Sequence, residues 1–414
     1  MTLAEELEWR GLVKDRTFED LNWVNTPRTF YLGSDASADS LTIGNLAIYM
    51  LARQLASHGW KAVMLVGGAT SLIGDPGGKD EERQLKTKEE VEQNIAGVAE
   101  QVRRVFAGNE FELVNNYDWF KDLGYLDFLR DVGKHYSMTE LVQRDFISTR
   151  MGEGGGGISY AEFSYNLIQG YDYWWLFKNK GVELQIGGSD QWGNMLSGAP
   201  LIRKKEGKEV HALSMPLVIN KTTGKKFGKS EAGAVWLDPK RTSPTQFYQF
   251  WINCDDEGIE DYLKIYTVLG RAETEDLVAK SRENPKERLV QTRLAQEITR
   301  LVHGDAELVV AEAVTQVLTG RTPVTELDET ALRAMRNEVP AIHAAPGAEI
   351  TELLVQANLA ASKSEARRLL EGNAVSINGQ KTQKENIDAG DFQNGRFLLR
   401  KGKAFKDSAL VEQG

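Results

Sequence analysis

The chain is poor in the residues that build covalent and metal frameworks. Cys254 is the one cysteine in 414 residues, so no intramolecular disulfide and no thiolate zinc site can form. The five histidines, at 58, 135, 211, 303 and 343, contain no HxxxH pair, which argues against a histidine metal cluster within one segment. No apolar run approaches the ~20 residues a membrane helix needs. The opening MTLAEELEWRGLVKD carries charge where a signal peptide has its apolar stretch. The expectation is a cytoplasmic protein without membrane contact. Positive charge is short as well: 50 Lys and Arg against 60 Asp and Glu give a net charge of −10. Residues 341–414, however, hold ten basic and nine acidic side chains. A polyanion must therefore be met through local basic patches, and this C-terminal segment offers the best of them.

The length suits two or three domains at roughly 150 residues each. The first 240 residues read as α/β. Thr29–Leu32 is a short apolar strand, and Ile43, Leu46, Ala47, Met50, Leu51 and Leu55 recur at helical spacing to about Ser57. Ala62–Val66 is a second apolar strand, completing a βαβ unit that implies a parallel sheet. Helices are expected near 87–107, 124–131 and 160–177, and a strand at Val182–Ile186. From Ser243 to Leu318 the pattern is helical and strand-poor. Pro340, Pro346 and Gly347 mark a linker. Beyond it come helices at 351–357 and 363–371, a strand ending at Ile377, and Asn378-Gly379 as a type I′ turn signal. Arg396–Leu399 is expected to be the last strand.

Five constellations could carry chemistry. In the first, a polar loop from Gly33 through Asp35, Ser37 and Thr42 leads to Gly44 and Asn45 at a helix start, where free N–H groups attract phosphate. Gly33 and Gly44 would let a nucleotide approach the backbone, although an ordinary capped turn has the same composition. The second is the Gly-rich run Gly67–Lys79 with Asp75, followed by Arg83. It lacks P-loop spacing, yet lies at a strand's carboxyl end, where open α/β sheets bind ligands. In the third, Tyr165, Gln169 and Asp172 fall at i, i+4 and i+7 and share one helix face. Such a stripe either faces solvent or lines a polar pocket. The fourth, Gly187-Gly188-Ser189-Asp190-Gln191, runs a strand into a turn whose Asp suits ribose hydroxyls or a helix cap. The fifth, Lys225-Lys226-Phe227-Gly228-Lys229-Ser230, suits a mobile phosphate-seeking loop or a solvated charge run.

In this order and spacing the five pieces resemble the bacterial tyrosyl-tRNA synthetases, a family of class I aminoacyl-tRNA synthetases. Ala36–Asn45 stands where the family has its HIGH signature, and Lys226–Ser230 matches KMSKS in the form KFGKS. NNYDW at 115–119, FLRDVGKH at 128–135, EFSYNLIQGYD at 162–172, LQIGGSDQWGN at 184–194 and FYQFWIN at 247–253 also read as family blocks. The likeness runs from about residue 2 to 414. It implies a Rossmann-like parallel-sheet catalytic domain over 1–235 and an α-helical, anticodon-side domain over 236–338. A linker at 339–349 and a small α+β S4-like RNA-binding domain over 350–414 would follow.

The resemblance also implies roles. Tyr31 and Asp172 would hydrogen-bond the substrate phenol, and Tyr165, Gln169, Gln191 and Asp75 would surround its α-ammonium group. Asp190, with Gly188 before it, would bind the ATP ribose, while Asp35, Ser37, Thr42 and Asn45 lie beside ribose and phosphates. Lys79, Arg83, Lys226, Lys229 and Ser230 would stabilise departing pyrophosphate. Lys363, Arg367 and Arg368 would contact RNA. Implied partners are L-tyrosine, ATP with Mg2+, tRNA(Tyr) and a second copy of the chain, without a tightly held protein-ligated metal. Two positions depart from the pattern: Thr42 replaces the first signature histidine, and Ala36 replaces a usual proline. Direct donation to phosphate by Thr42 would require a closer phosphate or a bridging water. A synthetase-like regulatory RNA-binding protein and a tryptophanyl enzyme remain as other readings.

Overall fold

Short apolar runs separated by amphipathic helices build a six-stranded sheet from β1 (Asp15–Arg16), β2 (Thr29–Asp35), β3 (Lys61–Gly67), β4 (Phe111–Asn115), β5 (Val182–Gly188) and β6 (His211–Met215). The order is β1-β6-β5-β2-β3-β4. Strands β2 to β6 are mutually parallel, and β1 lies antiparallel on the edge. All of β3 after Lys61 is buried, as befits a strand covered on both faces. The structure, a computed structural model, describes residues 1–75, 86–142, 147–148, 151–152, 157–230, 233–402 and 407–414, and of Glu140, Lys229 and Ser230 the backbone alone. Among the described residues no helix is long and apolar enough to cross a membrane.

Sheet order decides where a ligand can sit. The chain steps outward from β2 to β3 and β4, then returns to β5 on the other side of β2. The strand order thus reverses between β2 and β5, whose carboxyl ends are Asp35 and Gly188. A crevice at such a switch point is the usual binding place of an open parallel sheet. The helix Tyr160–Lys180 packs across this region. Its start is fixed by Ser159 and Glu162, each side chain taking the other's backbone N–H, and its end by Gly181 in the left-handed region.

Two compact units result: residues 1–241 with 254–294, and residues 242–253 with 295–414. Residues 254–294 thus join the first unit, and Arg10 supplies part of the reason. Its buried guanidinium donates to the carbonyls of Lys264, Thr267 and Leu269 at 2.7, 2.9 and 2.8 Å and pairs with Glu6 at 2.9 Å. The segment after 254 is thus stitched to the N-terminal helix. Arg10→Met should lower stability by about 3–5 kcal/mol, the scale of a broken buried ion pair. Thermal unfolding checks this, and an unchanged Tm would show that the carbonyls find other donors.

After a short antiparallel pair, β7 (Lys229–Ser230) and β8 (Gly233–Ala234), the strands of the second unit follow: β10 (Val375–Ile377), β11 (Gln380–Lys381) and β12 (Arg396–Lys401) join β9 (Ala341–Ala344) and β13 (Ser408–Gln413) in the order β11-β10-β12-β13-β9. Two expectations are corrected here. The stretch 339–349 is not a plain linker, because Ala341–Ala344 alternates exposed and buried residues and pairs in parallel with β13. Nor is 396–399 the last strand, since β13 follows it and pairs antiparallel with β12. The sheet's central strands β12 and β13 are buried on both faces. Phe397, Leu399 and Val411 meet the helices Ile350–Gln356 and Lys363–Glu371, whereas Leu398 and Leu410 face Val314, Leu318, Leu332 and Met335 of the helices Asp305–Leu318 and Glu329–Glu338. The expected helical and S4-like parts thus share one core. Asn378 and Gly379, both at positive φ, form the turn that the sequence marks.

Candidate active site

A cavity of about 280 Å³ opens at the β2/β5 switch point. Tyr31, Gly33, Asp35 and Ser37 reach it from β2 and the loop beyond, and Thr42, Gly44 and Asn45 from the next helix start. Tyr165, Gln169 and Asp172 come from one face of the 160–180 helix, Gly188, Asp190 and Gln191 from the end of β5, and Asp75 and Lys226 from loops. Every described candidate for the tyrosine and ATP subsites thus lines one space. Lys79 and Arg83 lie outside the described residues, as do the side chains of Lys229 and Ser230.

The cavity's deepest carboxylate is Asp172, 2 % exposed. Asn116 Nδ2 donates to its Oδ2 at 3.1 Å and Trp119 Nε1 to its Oδ1 at 2.8 Å. Neither residue was singled out by sequence, although NNYDW begins where β4 ends, a position at which parallel strands present ligand-binding groups. Tyr31, 2 % exposed, has an Oη that no described residue bonds. Asp35 accepts from Thr70 Oγ1 at 2.7 Å and from Tyr165 Oη at 2.8 Å. Asp75 accepts from Gln191 Nε2 at 2.7 Å and Asn194 Nδ2 at 3.3 Å. A Cβ on Gly67 would come within 2.4 Å of Asp35 Oδ1, so glycine there leaves room for that carboxylate.

Burial pushes the Asp172 carboxyl up from the ordinary 3.8 to about 8, with the bonds from Asn116 and Trp119 pulling it down and the nearby Asp35 charge raising it. Burial, aided by Asp172, also raises the Tyr31 phenol. Between about pH 4 and 8 the folded protein therefore holds a proton that the unfolded chain has released. The associated stability is complete below about pH 4 and is lost as pH rises to about 8. Without tyrosine, Asp172→Asn should gain Tm relative to the unaltered protein between pH 5 and pH 8. A pH-independent difference would mean that the carboxyl is ionised throughout.

The backbone of Val235 and Leu237 bridges the two signature segments. Ile43 N–H donates to Val235 O at 3.1 Å, Leu237 N–H to Leu41 O at 2.9 Å, and Val235 N–H to Gly228 O at 3.0 Å. Gly228, at φ +99, sits so close that a Cβ would meet Ile43 Cγ1 at 2.8 Å. Lys226 Nζ lies 3.1 Å from Asp190 Oδ2, with both side chains about half exposed, a pair that adds little stability. From the 88–105 helix, Gln101 Oε1 accepts from Leu41 N–H at 2.8 Å and Asn94 donates to Ala36 O at 2.9 Å. Sequence alone gave these two supports no signal.

Residues 24–319 match the model of class I tRNA synthetases (W and Y), and residues 331–406 match that of the tyrosine–tRNA ligase SYY-like C-terminal domain. The chain belongs to the class I tyrosine–tRNA ligase family. It is 42% identical to a tyrosine–tRNA ligase of Bacteroides thetaiotaomicron, over 97% of this chain and 98% of that protein. It is equally identical, with the same coverage, to one of Bacillus caldotenax. Among solved structures, a C-terminally truncated mitochondrial tyrosyl-tRNA synthetase of Aspergillus nidulans aligns with a TM-score of 0.68 at 29% identity, covering 76% of this chain and 93% of that one. Family membership and the mixed α/β fold with its parallel Rossmann-like core agree with the expectations.

Proposed function

We propose that the protein activates L-tyrosine with ATP, releasing pyrophosphate, and transfers the tyrosyl group from the adenylate to the 3′-terminal adenosine of tRNA(Tyr). One observation carries the reading. A buried carboxylate and a buried phenol hydroxyl, Asp172 and Tyr31, line the same cavity. Once ionised, Asp172 accepts a hydrogen bond from the substrate hydroxyl, and Tyr31 donates to the hydroxyl oxygen. A site so built rejects phenylalanine, whose binding leaves both groups unpaired, a principle that tyrosyl-tRNA synthetases themselves illustrate. Asp75, Tyr165, Gln169 and Gln191 take the ammonium group.

The substrate carboxylate is already a nucleophile. It attacks the α-phosphorus of ATP in line, a P–O bond to the α-phosphorus forms, the bond to the β-phosphate oxygen breaks, and pyrophosphate departs. No general base is required, so catalysis is positioning and electrostatic stabilisation. In this reading Asp190 with Gly188 holds the ribose. The signature loop, with Gly33, Asp35, Ser37, Thr42, Gly44 and Asn45, lies along ribose and phosphates. Mg2+ enters with ATP. Lys79, Arg83, Lys226, Lys229 and Ser230 neutralise the leaving group.

Residues 1–235 would form the catalytic domain, 236–338 the anticodon side and 350–414 the RNA-binding part. Lys363, Arg367 and Arg368 are exposed along the helix Lys363–Glu371, as phosphate contacts require. A homodimer, which tRNA would bridge, accounts for the exposed apolar side chains Tyr125, Leu126, Met138 and Tyr160, 62%, 78%, 61% and 62% exposed around the FLRDVGKHYS block. The reaction would run in the cytoplasm. ATP–pyrophosphate exchange with tyrosine, tryptophan and phenylalanine is the test, and tyrosine alone should support it. Equal exchange with phenylalanine overturns the pocket assignment. Exchange with tryptophan favours the tryptophanyl reading, and none favours the regulatory one.

A further inference from the structure

Thr42 occupies the N-cap of the helix Ile43–Ser57 and lines the cavity. Its hydroxyl is turned to a neighbour: Thr42 Oγ1 donates to Asn45 Oδ1 at 2.9 Å, and Thr42 N–H donates to the same oxygen at 3.0 Å. A backbone N–H can only donate, so the amide atom facing it must be the oxygen, however the side chain is drawn. With Oδ1 held by two donors, the Asn45 NH2 group lies on the opposite side of the amide. Asn45 is itself exposed and lines the cavity.

On the reading of this cavity as the ATP site, we infer that Thr42 is a positioning residue for adenylate formation: it fixes the Asn45 amide so that both N–H donors of that amide are offered to the nucleotide. The proton of the Thr42 hydroxyl is committed to Asn45 and is not spent on a phosphate. The backbone N–H selects which amide atom faces inward. The hydroxyl adds the second bond that holds the side chain in one rotamer.

The test is a double-mutant cycle on the full-length protein, read by single-turnover adenylate formation against ATP concentration, with tyrosine binding measured separately in the absence of ATP. Thr42→Val removes the hydroxyl at nearly constant shape, and Thr42→Ser keeps it. Thr42→Val should weaken the ATP-dependent step about threefold to tenfold, the scale of one neutral hydrogen bond. Thr42→Ser should stay within about twofold of the unaltered protein, and tyrosine affinity should not change. Asn45→Ala should impair the same step, and adding Thr42→Val to it should bring no further loss. Multiplying losses in the double variant would show that Thr42 acts on ATP independently and would overturn the inference alone. A Thr42→Val variant as active as the unaltered protein would do the same. If tyrosine affinity and Tm fell together with activity, the bond would be a helix cap only, and the inference would fail. If Asn45→Ala left the ATP step untouched, the assignment of this edge to ATP would fall, and the inference with it.

Discussion

Above about pH 8, where the Asp172 carboxyl is ionised, Asp172→Ala will weaken tyrosine binding by roughly 2–5 kcal/mol, the cost of truncating one partner of a buried, charged hydrogen-bond set. The loss exceeds the substrate contact itself, because Asn116 and Trp119, which donate to this carboxylate at 3.1 and 2.8 Å, are left as buried donors without an acceptor. Tyr31→Phe removes one neutral hydroxyl and should cost only about 0.5–1.5 kcal/mol. The ratio of the two effects separates this arrangement from a pocket in which the phenol merely fills space. Equilibrium tyrosine binding measures both. Equal losses would mean that Asp172 does not face the substrate.

A chain ending at Pro340 will keep adenylate formation within about twofold, yet lose transfer to tRNA by about a hundredfold or more. The second figure corresponds to two lost charge-assisted contacts at roughly 1.5–3 kcal/mol each. The first follows from the architecture, since every described cavity residue lies in the unit made of 1–241 and 254–294. The shortened chain carries a cost that the sequence does not reveal. Without β12 and β13, Leu398 and Leu410 no longer cover Leu318, Leu332 and Met335. Arg336 also loses Glu412, which it grips through two nitrogens at 3.1 and 2.8 Å. The remnant helices should bind a hydrophobic dye and melt early. Full tRNA charging by this chain would remove the C-terminal segment from RNA recognition.

The site was legible where chemistry follows local periodicity. Tyr165, Gln169 and Asp172 share a face because a helix repeats every 3.6 residues, and the structure turns that face into the cavity. Asn116 and Trp119 were not legible as partners of Asp172. They lie more than fifty positions away in the chain, and only the crossing of the 160–180 helix over the end of β4 unites them. Composition misled at 339–349, where two prolines and a glycine mark a break, yet the four residues between Pro340 and Ala345 alternate and pair as a strand. The joining of residues 254–294 to the first unit was hidden for a similar reason. Nothing local announces that Arg10 will bond three carbonyls some 250 residues later.

The parallel pairing of β9 with β13 sets a clock on the second half of the molecule. Ala341 is matched with Leu410, about seventy residues downstream. Contacts so distant form slowly, because a large loop must close before they return any free energy. As the chain leaves the ribosome at about 5–20 residues per second, the helices 305–338 and strand β9 wait on the order of ten seconds for their last partner. Through that interval Leu332 and Met335 have no sheet to pack on. The second unit is therefore the part that most needs protection while it is being made, and its completion is governed by arrival order as much as by final stability.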